Sequence, residues 1–368
     1  MLQPPNVKRV PALLASLLVL FTLFNVSPTF AQSASTPSPL LPASPGADLV
    51  ANLFWVVFWM SVGVFILVEG LLIYSAVKFR RRSPNEMPAQ VHGNTRLELA
   101  WTIGPSLIAV AIFALSLQVM LTIQDPGADS VALASSNVCF SSDISPNAAA
   151  AFVGTSTLDI DVTGYQWWWE YNYPAYGLIT AADMYVPVGA IVKLNLTSRD
   201  VVHAWWIPQL GGKKDLYPGA INLTWFQVTE PGVYEGHCTE LCGASHAYMP
   251  MRVIALEQAE FDAWVNKQLE GPAAPETELA LQGQQLMRSK GCLGCHAVTG
   301  LSESARVGPN LTNLAERHQV AGLMPYSQEN IRLWLSNPAG TKPGALMPNL
   351  NLSEAELDAL TAYLDTLK

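Results

Sequence analysis

The sequence predicts a multidomain protein with a transmembrane α-helical hairpin, then an all-β domain, then a small all-α domain. Two apolar runs, 49–77 and 99–121, are each long enough to span the hydrocarbon core of a membrane, which takes about 20 helical residues. From residue 158 onward, short β-type runs alternate with Gly and Pro breaks, a pattern typical of a sandwich or barrel. Near the C-terminus, Ser353 and Glu356 form a capping box ahead of an apolar stripe, which predicts a closing helix.

The N-terminal segment, residues 1–31, is predicted to be a secretory signal peptide. It has a basic start, an apolar core at 12–24 and small residues at a cleavage site that ends at Ala31. The apolar core is short for a third membrane helix. A flexible spacer rich in Ser and Pro is expected to follow at 32–48.

The predicted hairpin, 49–121, turns at the basic segment 78–82. Basic residues beside membrane helices favour the cytoplasmic side, so the turn is predicted to be cytoplasmic and the rest of the chain to lie outside. Residues 122–155 are rich in Ala, Ser, Asn and Gly, which predicts an irregular loop or insertion. Cys139 within it has no obvious partner and is interpreted as incidental.

The composition narrows the class of protein further. Half of the residues are hydrophobic and only 13% are charged, which suits a membrane-anchored protein with soluble parts. The formal net charge of -9 argues against a nucleic-acid partner.

A short loop holds two thiols, an imidazole and a thioether. Cys238, Cys242, His246 and Met249 follow one another at spacings of four, four and three residues, so a tight loop can bring them to one point. Thiolate, imidazole and a weak Met ligand together favour copper in electron-transfer sites. Zinc would use Cys and His but has little use for the thioether. A disulfide between the two cysteines is a further alternative, although it explains neither His246 nor Met249.

This loop resembles the dinuclear copper (CuA) loop of cytochrome c oxidase subunit II. In that family a further His precedes the first Cys by about 35 residues, on an Asp-x-x-His-x-Trp segment. Here His203, in the segment 200–205, stands 35 positions before Cys238. The resemblance implies a cupredoxin-like Greek-key sandwich for residues 156–270.

The resemblance also implies a set of copper ligands. The two thiolates would bridge both copper ions, a His and the Met would complete one ion, and a second His with a main-chain carbonyl would complete the other. In this sequence the implied ligands are His203, Cys238, Glu240 through its carbonyl, Cys242, His246 and Met249. The Glu240 carboxylate is implied to help hold a magnesium ion at the boundary with subunit I.

Two further residues match family motifs. Trp167, in Gln166-Trp167-Trp168-Trp169, resembles the Trp at which electrons enter the copper domain, and Trp169 would be core. A row of large aromatics more often marks a contact surface. Glu98, followed by Trp101 and Thr102, resembles a Glu at the entrance of a proton pathway into subunit I. The alternative is an interfacial carboxylate favoured by the helix dipole.

The C-terminal domain, 279–368, follows a predicted linker at 271–278 and contains Cys292-Leu293-Gly294-Cys295-His296. Cys-x-x-Cys-His is the attachment motif for c-type haem, in which two thiols bond the porphyrin and the His binds iron. A thioredoxin-like pair or half a zinc site are the alternatives. A second iron ligand is commonly Met. Met347 is the preferred candidate and Met324 its rival.

Together these resemblances imply subunit II of a haem-copper oxidase with a fused cytochrome c domain, in a bacterial inner membrane. Electrons would pass from an external donor (a soluble cytochrome c, a cupredoxin or a reductase complex) to the haem, then to the copper pair. Subunit I, where oxygen is reduced and protons move, would be a partner, as would subunit III and membrane lipid. The alternatives are a copper-delivery protein or the electron-transfer module of another enzyme, such as a nitric oxide or nitrous oxide reductase.

Overall fold

The computed structural model describes residues 37–83, 87, 90, 93–124 and 156–368. The predicted signal peptide, the beginning of the predicted spacer and nearly all of the predicted loop at 122–155, with Cys139, lie outside the described residues.

Two long helices form the hairpin: α1 (Pro45–Lys78) and α2 (Thr95–Gln124). The Ser44 hydroxyl caps α1 by accepting a hydrogen bond from the Ala47 amide at 3.1 Å. Both helices are long and apolar enough to cross a membrane by length and composition. Each extends past its apolar run, because the polar residues at its ends continue the backbone hydrogen-bond ladder.

Both outer ends of the hairpin are attached to the β domain. At the start of α1, the Ser44 hydroxyl donates to the Leu210 carbonyl at 2.7 Å. At the end of α2, the Trp225 indole donates to the Ile123 carbonyl at 2.7 Å. The expectation of a flexible spacer is therefore wrong for residues 41–48: hydrogen bonds hold 41–44 on the β domain, and 45–48 form the first turn of α1.

The middle domain is built on ten strands in the described part of the chain: β1 (Thr157–Tyr165), β2 (Trp168–Tyr173), β3 (Leu178–Ala181), β4 (Asp183–Pro187), β5 (Ile191–Ser198), β6 (His203–Trp205), β7 (Lys214–Leu216), β8 (Asn222–Gln227), β9 (Gly232–His237) and β10 (Pro250–Leu256). The order β3-β2-β1-β5-β8 forms one sheet, β4-β10-β9 a second, and β6-β7 a pair. The predicted all-β domain is confirmed, and β1 is parallel to β5.

The core of the β domain follows from alternation along its strands. On β1, Leu158, Ile160 and Val162 are buried while the residues between them are more exposed, as expected for a sheet with one covered face. Helix α3 (Gln258–Glu270) buries Phe261 and Val265 at the edge of the same core.

The C-terminal domain is mainly helical, as predicted. It contains α4 (Glu278–Ser289), a small hairpin of β11 (Gln319–Val320) and β12 (Met324–Pro325), then α5 (Gln328–Ser336), α6 (Pro338–Thr341) and α7 (Glu354–Leu364). The capping box at the start of α7 is confirmed. Helices α4 and α7 cross at Gly283, where a β-carbon would collide with the main-chain carbonyl of Ala359.

The helical domain is docked on the β domain by polar contacts from several of its loops. Asn310 donates to the Ile179 carbonyl at 3.1 Å, and the Ser245 hydroxyl donates to the Pro343 carbonyl at 2.6 Å. These contacts bring the loop after β9 against the segment that follows α6.

Candidate functional site

Two thiols and an imidazole form a buried cluster in the β domain. The ligand atoms of His203, Cys238 and Cys242 all lie within 4.8 Å of one another. The Cys238 sulfur is 3.8 Å from the Cys242 sulfur and 3.9 Å from Nδ1 of His203. Both cysteines are free thiols, so the structure does not contain the alternative disulfide.

The remaining candidate copper ligands surround the same sulfur pair. Nδ1 of His246 lies 3.5 Å from the Cys242 sulfur, and Sδ of Met249 lies 3.9 Å from it. The Glu240 carbonyl oxygen is 3.3 Å from the Cys238 sulfur. A single 3₁₀ turn, His246–Tyr248, follows Cys242 and sets the positions of the last two ligands. We call the whole group of candidate copper ligands the copper-type cluster.

Two residues outside the loop hold His203 in its orientation. The Asp200 carboxylate lies 2.8 Å from Nε2 of His203, so the other ring nitrogen, Nδ1, is the one left facing the sulfurs. Gly164 lies against the ring, and a β-carbon there would be 2.9 Å from Cδ2 of His203. An orienting carboxylate behind a ligand imidazole is common at metal centres.

The electrostatics favour a thiolate at this cluster. Hydrogen bonds with the Cys242 thiol and the His203 imidazole lower the pKa of Cys238, although burial opposes the shift. A thiolate is the form of cysteine that binds metal. The donor set of two sulfurs, two imidazoles, a thioether and a carbonyl fits a soft metal such as copper better than a tetrahedral zinc site.

The side chains of Glu240 and His237 have surroundings outside the buried cluster. The Glu240 carboxylate lies 3.1 Å from the Lys213 ammonium, which also pairs with Asp215 at 3.0 Å. His237, next to Cys238 in the sequence, is exposed.

A cavity of about 290 Å³ is lined by residues of both the β domain and the helical domain. Cys292, Cys295 and His296 line it, as does Met347. The rival Met324 is not among its lining residues, although both methionines pack against the core of the helical domain.

The proximal side of the cavity is built around His296. Its Nδ1 lies 2.8 Å from the Pro309 carbonyl, which leaves Nε2 as the ring nitrogen without that hydrogen bond. Burial lowers the pKa of His296, so the ring is held neutral, as an iron ligand must be. Gly308 lies close to the imidazole, and a β-carbon at this position would collide with Cε1 of His296. The motif, the cavity and the neutral His together fit a c-type haem.

Trp167 joins the two candidate sites. Its ring lines the cavity, and its Nε1 donates a hydrogen bond to the Cys242 carbonyl at 3.1 Å. The side chain is only 7% exposed. Trp167 therefore lies at a contact surface, and the partner across that surface is the chain's own helical domain.

The other two tryptophans of the row have different surroundings. Trp168 stacks on Tyr165 with ring centres 4.2 Å apart and also lines the cavity. Trp169 is 1% exposed and meets His203 edge-on with ring centres 5.9 Å apart.

Sequence patterns missed two residues at the junction of the domains. Lys342 is 4% exposed, and its ammonium donates to the Trp167 carbonyl at 2.8 Å and to the Ala321 carbonyl at 2.7 Å. Gly344 lies so close to Trp167 that a β-carbon would be 2.7 Å from Cη2 of the indole. Neither residue belongs to a recognisable motif, since both act only when the two domains meet.

Glu98 lies in the first turn of α2 and is exposed. Its carboxylate accepts a hydrogen bond from the Asn94 amide at 3.3 Å, and the Asn94 side chain accepts one from the Leu97 amide at 3.3 Å. Within this chain Glu98 therefore contributes to the N-terminal cap of the second membrane helix.

Comparison with known proteins gives matches along most of the chain. Residues 41–119 match the family described as cytochrome c oxidase subunit II, transmembrane domain; 177–256 match cytochrome c oxidase subunit II, periplasmic domain; and 280–368 match cytochrome c.

Similar full-length proteins carry the same description. Cytochrome c oxidase subunit 2 of Alkalihalophilus pseudofirmus is 37% identical over 332 residues, which cover 89% of this chain and 90% of that protein. The protein of the same description from Bacillus sp. strain PS3 is 33% identical over 364 residues, covering 95% and 97%. A solved periplasmic domain of subunit II of cytochrome oxidase from Bradyrhizobium japonicum is 35% identical, covers 31% of this chain and 94% of its own, and has a TM-score of 0.30.

Proposed function

Because the chain belongs to the cytochrome c oxidase subunit II family and ends in a cytochrome c domain, we propose that it receives electrons for a haem-copper oxidase through two cofactors of its own. The observation that carries this proposal is the position of Trp167. One tryptophan lines the haem-type cavity and is hydrogen-bonded to the loop that holds the candidate copper ligands.

The copper-type cluster is proposed to hold a dinuclear CuA centre. Cys238, Cys242, His203, His246, Met249 and the Glu240 carbonyl would hold the two ions. A copper pair on soft thiolate ligands would supply one-electron transfer with little change in geometry. The protein orients the ligands: the Asp200 carboxylate holds the His203 ring, and the buried sulfurs of Cys238 and Cys242 lie 3.8 Å apart.

The shared cavity is proposed to hold one covalent haem c. Cys292 and Cys295 would bond the porphyrin, and His296 and Met347 would bind the iron. The Pro309 carbonyl fixes the His296 ring, and the lining of the cavity is mostly apolar, which excludes water.

Electrons are proposed to travel from an external donor to the haem edge, through Trp167 to the copper centre, and on to subunit I. Oxygen reduction and proton translocation would occur in that partner. Glu98 is proposed to lie at the entrance of its proton pathway. The Glu240 carboxylate is proposed to reach a magnesium ion at the subunit I boundary by giving up its ion pair with Lys213.

The membrane orientation is part of the same proposal. The basic turn after α1 would lie in the cytoplasm, which puts the copper and haem domains on the outer face of the bacterial inner membrane. The attachment of both outer ends of the hairpin to the β domain supports this arrangement.

A copper-delivery protein is the less favoured alternative. Such a protein needs neither the distant His203 nor a haem-type cavity packed against its metal loop, and both are present here.

The proposal is tested in the purified oxidase complex with Cys242→Ser, and with His237→Ala as a matched control at an exposed residue just before the same loop. Cys242→Ser should keep covalent haem c, lose the copper pair and stop electrons at the haem, so oxygen consumption is lost. His237→Ala should behave as the parent protein does. Oxygen consumption at the parent rate in Cys242→Ser would overturn the proposal.

A further inference from the structure

The charged residues that line the shared cavity all carry positive charge. They are Lys290, Arg317 and Lys342, and the lining contains neither Asp nor Glu. An apolar cavity with cationic side chains and no carboxylate fits a ligand that is itself apolar with acidic groups at its edge.

Lys342 is the most deeply buried of the three cations. A lysine ammonium has three hydrogen-bond donors. The carbonyls of Trp167 and Ala321 take two of them, at 2.8 and 2.7 Å. Lys342 makes no ion pair with any residue that the structure describes. A charge buried in this way is costly unless an anion compensates it.

The other two cations, Lys290 and Arg317, already have side-chain or main-chain partners in the protein. Lys290 pairs with Glu356 at 2.6 Å and is about a third exposed. The Arg317 guanidinium donates to the Asn310 carbonyl, and Asp183 lies within electrostatic reach. Lys342 is more deeply buried than either of them and has no carboxylate partner among the described residues. Burial lowers the pKa of Lys342 to about 8, and the Cys242 sulfur acts in the opposite direction.

We propose that Lys342 is a positioning residue that gives a propionate carboxylate of the bound haem its counter-charge and, through the Trp167 carbonyl, ties that haem edge to the copper domain. The inference rests on the proposed function, because it requires haem c in the cavity. It deepens that function by assigning one residue to the contact between the two electron carriers.

Two consequences distinguish this role from a purely structural one. A buried cation beside a haem disfavours the oxidised form, which carries one more positive charge, and therefore raises the haem reduction potential. The Cys242 sulfur is the candidate copper ligand within electrostatic reach of Lys342, and a cation that served the copper centre would instead change the copper potential.

The test compares Lys342→Met, Lys342→Arg and the matched control Lys290→Met in the full-length protein within its oxidase complex. The midpoint potentials of haem and copper are measured by spectroelectrochemical titration. Covalent haem content and the copper spectrum are recorded first, so that a misfolded variant is recognised. Lys342→Arg tests whether the charge alone restores the potential.

Lys342→Met should shift the haem equilibrium about tenfold toward the oxidised form, a fall of about 59 mV for a one-electron couple. Lys342→Arg should keep the haem midpoint potential close to that of the parent protein, and Lys290→Met should change the potential far less than Lys342→Met does. Equal shifts in Lys342→Met and Lys290→Met would overturn the inference, as would a shift confined to copper. A parent protein with no covalent haem would instead overturn the proposed function itself.

Discussion

The indole of Trp167 donates a hydrogen bond to the main-chain oxygen of Cys242 at 3.1 Å, while the same ring lines the cavity beside the Cys-x-x-Cys-His motif. One buried residue thus contacts both the copper-ligand loop and the cavity. The helical domain covers the β domain at this point: Lys342 donates to the main-chain carbonyl of Trp167, and Gly344 lies against the indole ring.

Replacing Trp167 with Phe should slow electron transfer from haem to copper by an order of magnitude or more, because the hydrogen bond to the copper loop and the outer part of the ring are both lost. Rapid-mixing absorbance of haem oxidation and copper reduction measures this step directly. Trp168→Phe is the control, since Trp168 lines the cavity but stacks on Tyr165 instead of bonding to the loop. Equal rates in the two variants would remove Trp167 from the route.

Asp200→Ala should weaken copper binding roughly 10–100-fold, the usual cost of losing a residue that orients a metal ligand. The carboxylate holds Nε2 of His203 at 2.8 Å, and without it the ring is free to turn away from the sulfurs. Copper titration with a competing chelator measures the change. Haem content should stay unaltered, and Asp159→Ala, at an exposed position on β1, should bind copper as the parent does.

Gly308→Ala should destabilise the helical domain by about 1–3 kcal/mol, a typical cost of overpacking. The added methyl group would overlap the His296 ring and push it from the Pro309 carbonyl. Chemical unfolding and the haem absorption spectrum report the two effects. Gly294→Ala, where a β-carbon meets nothing within 4 Å, is the matched control, and equal damage there would contradict the steric explanation.

The contact between His318 and Asp183 should make docking of the helical domain depend on pH. The Asp183 hydrogen bond raises the pKa of His318 above its ordinary value of 6.5. A group whose pKa is raised in the folded state contributes its full stabilisation when the pH is below its ordinary pKa. This contribution is lost as the pH rises through the raised pKa. The His318 side chain is 48% exposed, so solvent screening limits the effect to below about 1 kcal/mol.

Thermal unfolding between about pH 5.5 and pH 8 checks this contact. Stability of the parent protein should fall across that range more steeply than stability of His318→Asn. An unchanged slope in the variant would assign the pH dependence to other groups.

Much of the fold is predictable from local pattern. Hydropathy located the hairpin, because about 20 apolar residues in a row have few other uses. Short β-type runs between Gly and Pro breaks predicted strands such as β5 and β10. The short strands β6 and β7 were not predicted, since three residues are too few to show the two-residue hydrophobic period of a strand.

The site was predictable where ligands are close in sequence and not where domains meet. Sequence spacing predicts the metal-binding loop, and the structure brings its four side chains together: Cys238, Cys242, His246 and Met249. Lys342 gave no signal, because a single lysine acquires its role only when Trp167 and Ala321 surround it. The burial of Trp167 was unpredictable for the same reason, since it depends on contact with a separate domain.

Metal and haem analysis of the purified protein, combined with electron paramagnetic resonance, tests the central claim most directly. We expect two copper ions and one covalent haem per chain. The unpaired electron should be shared over both coppers, and the copper signal should be lost in Cys242→Ser. A single copper ion, or zinc in its place, would contradict that claim.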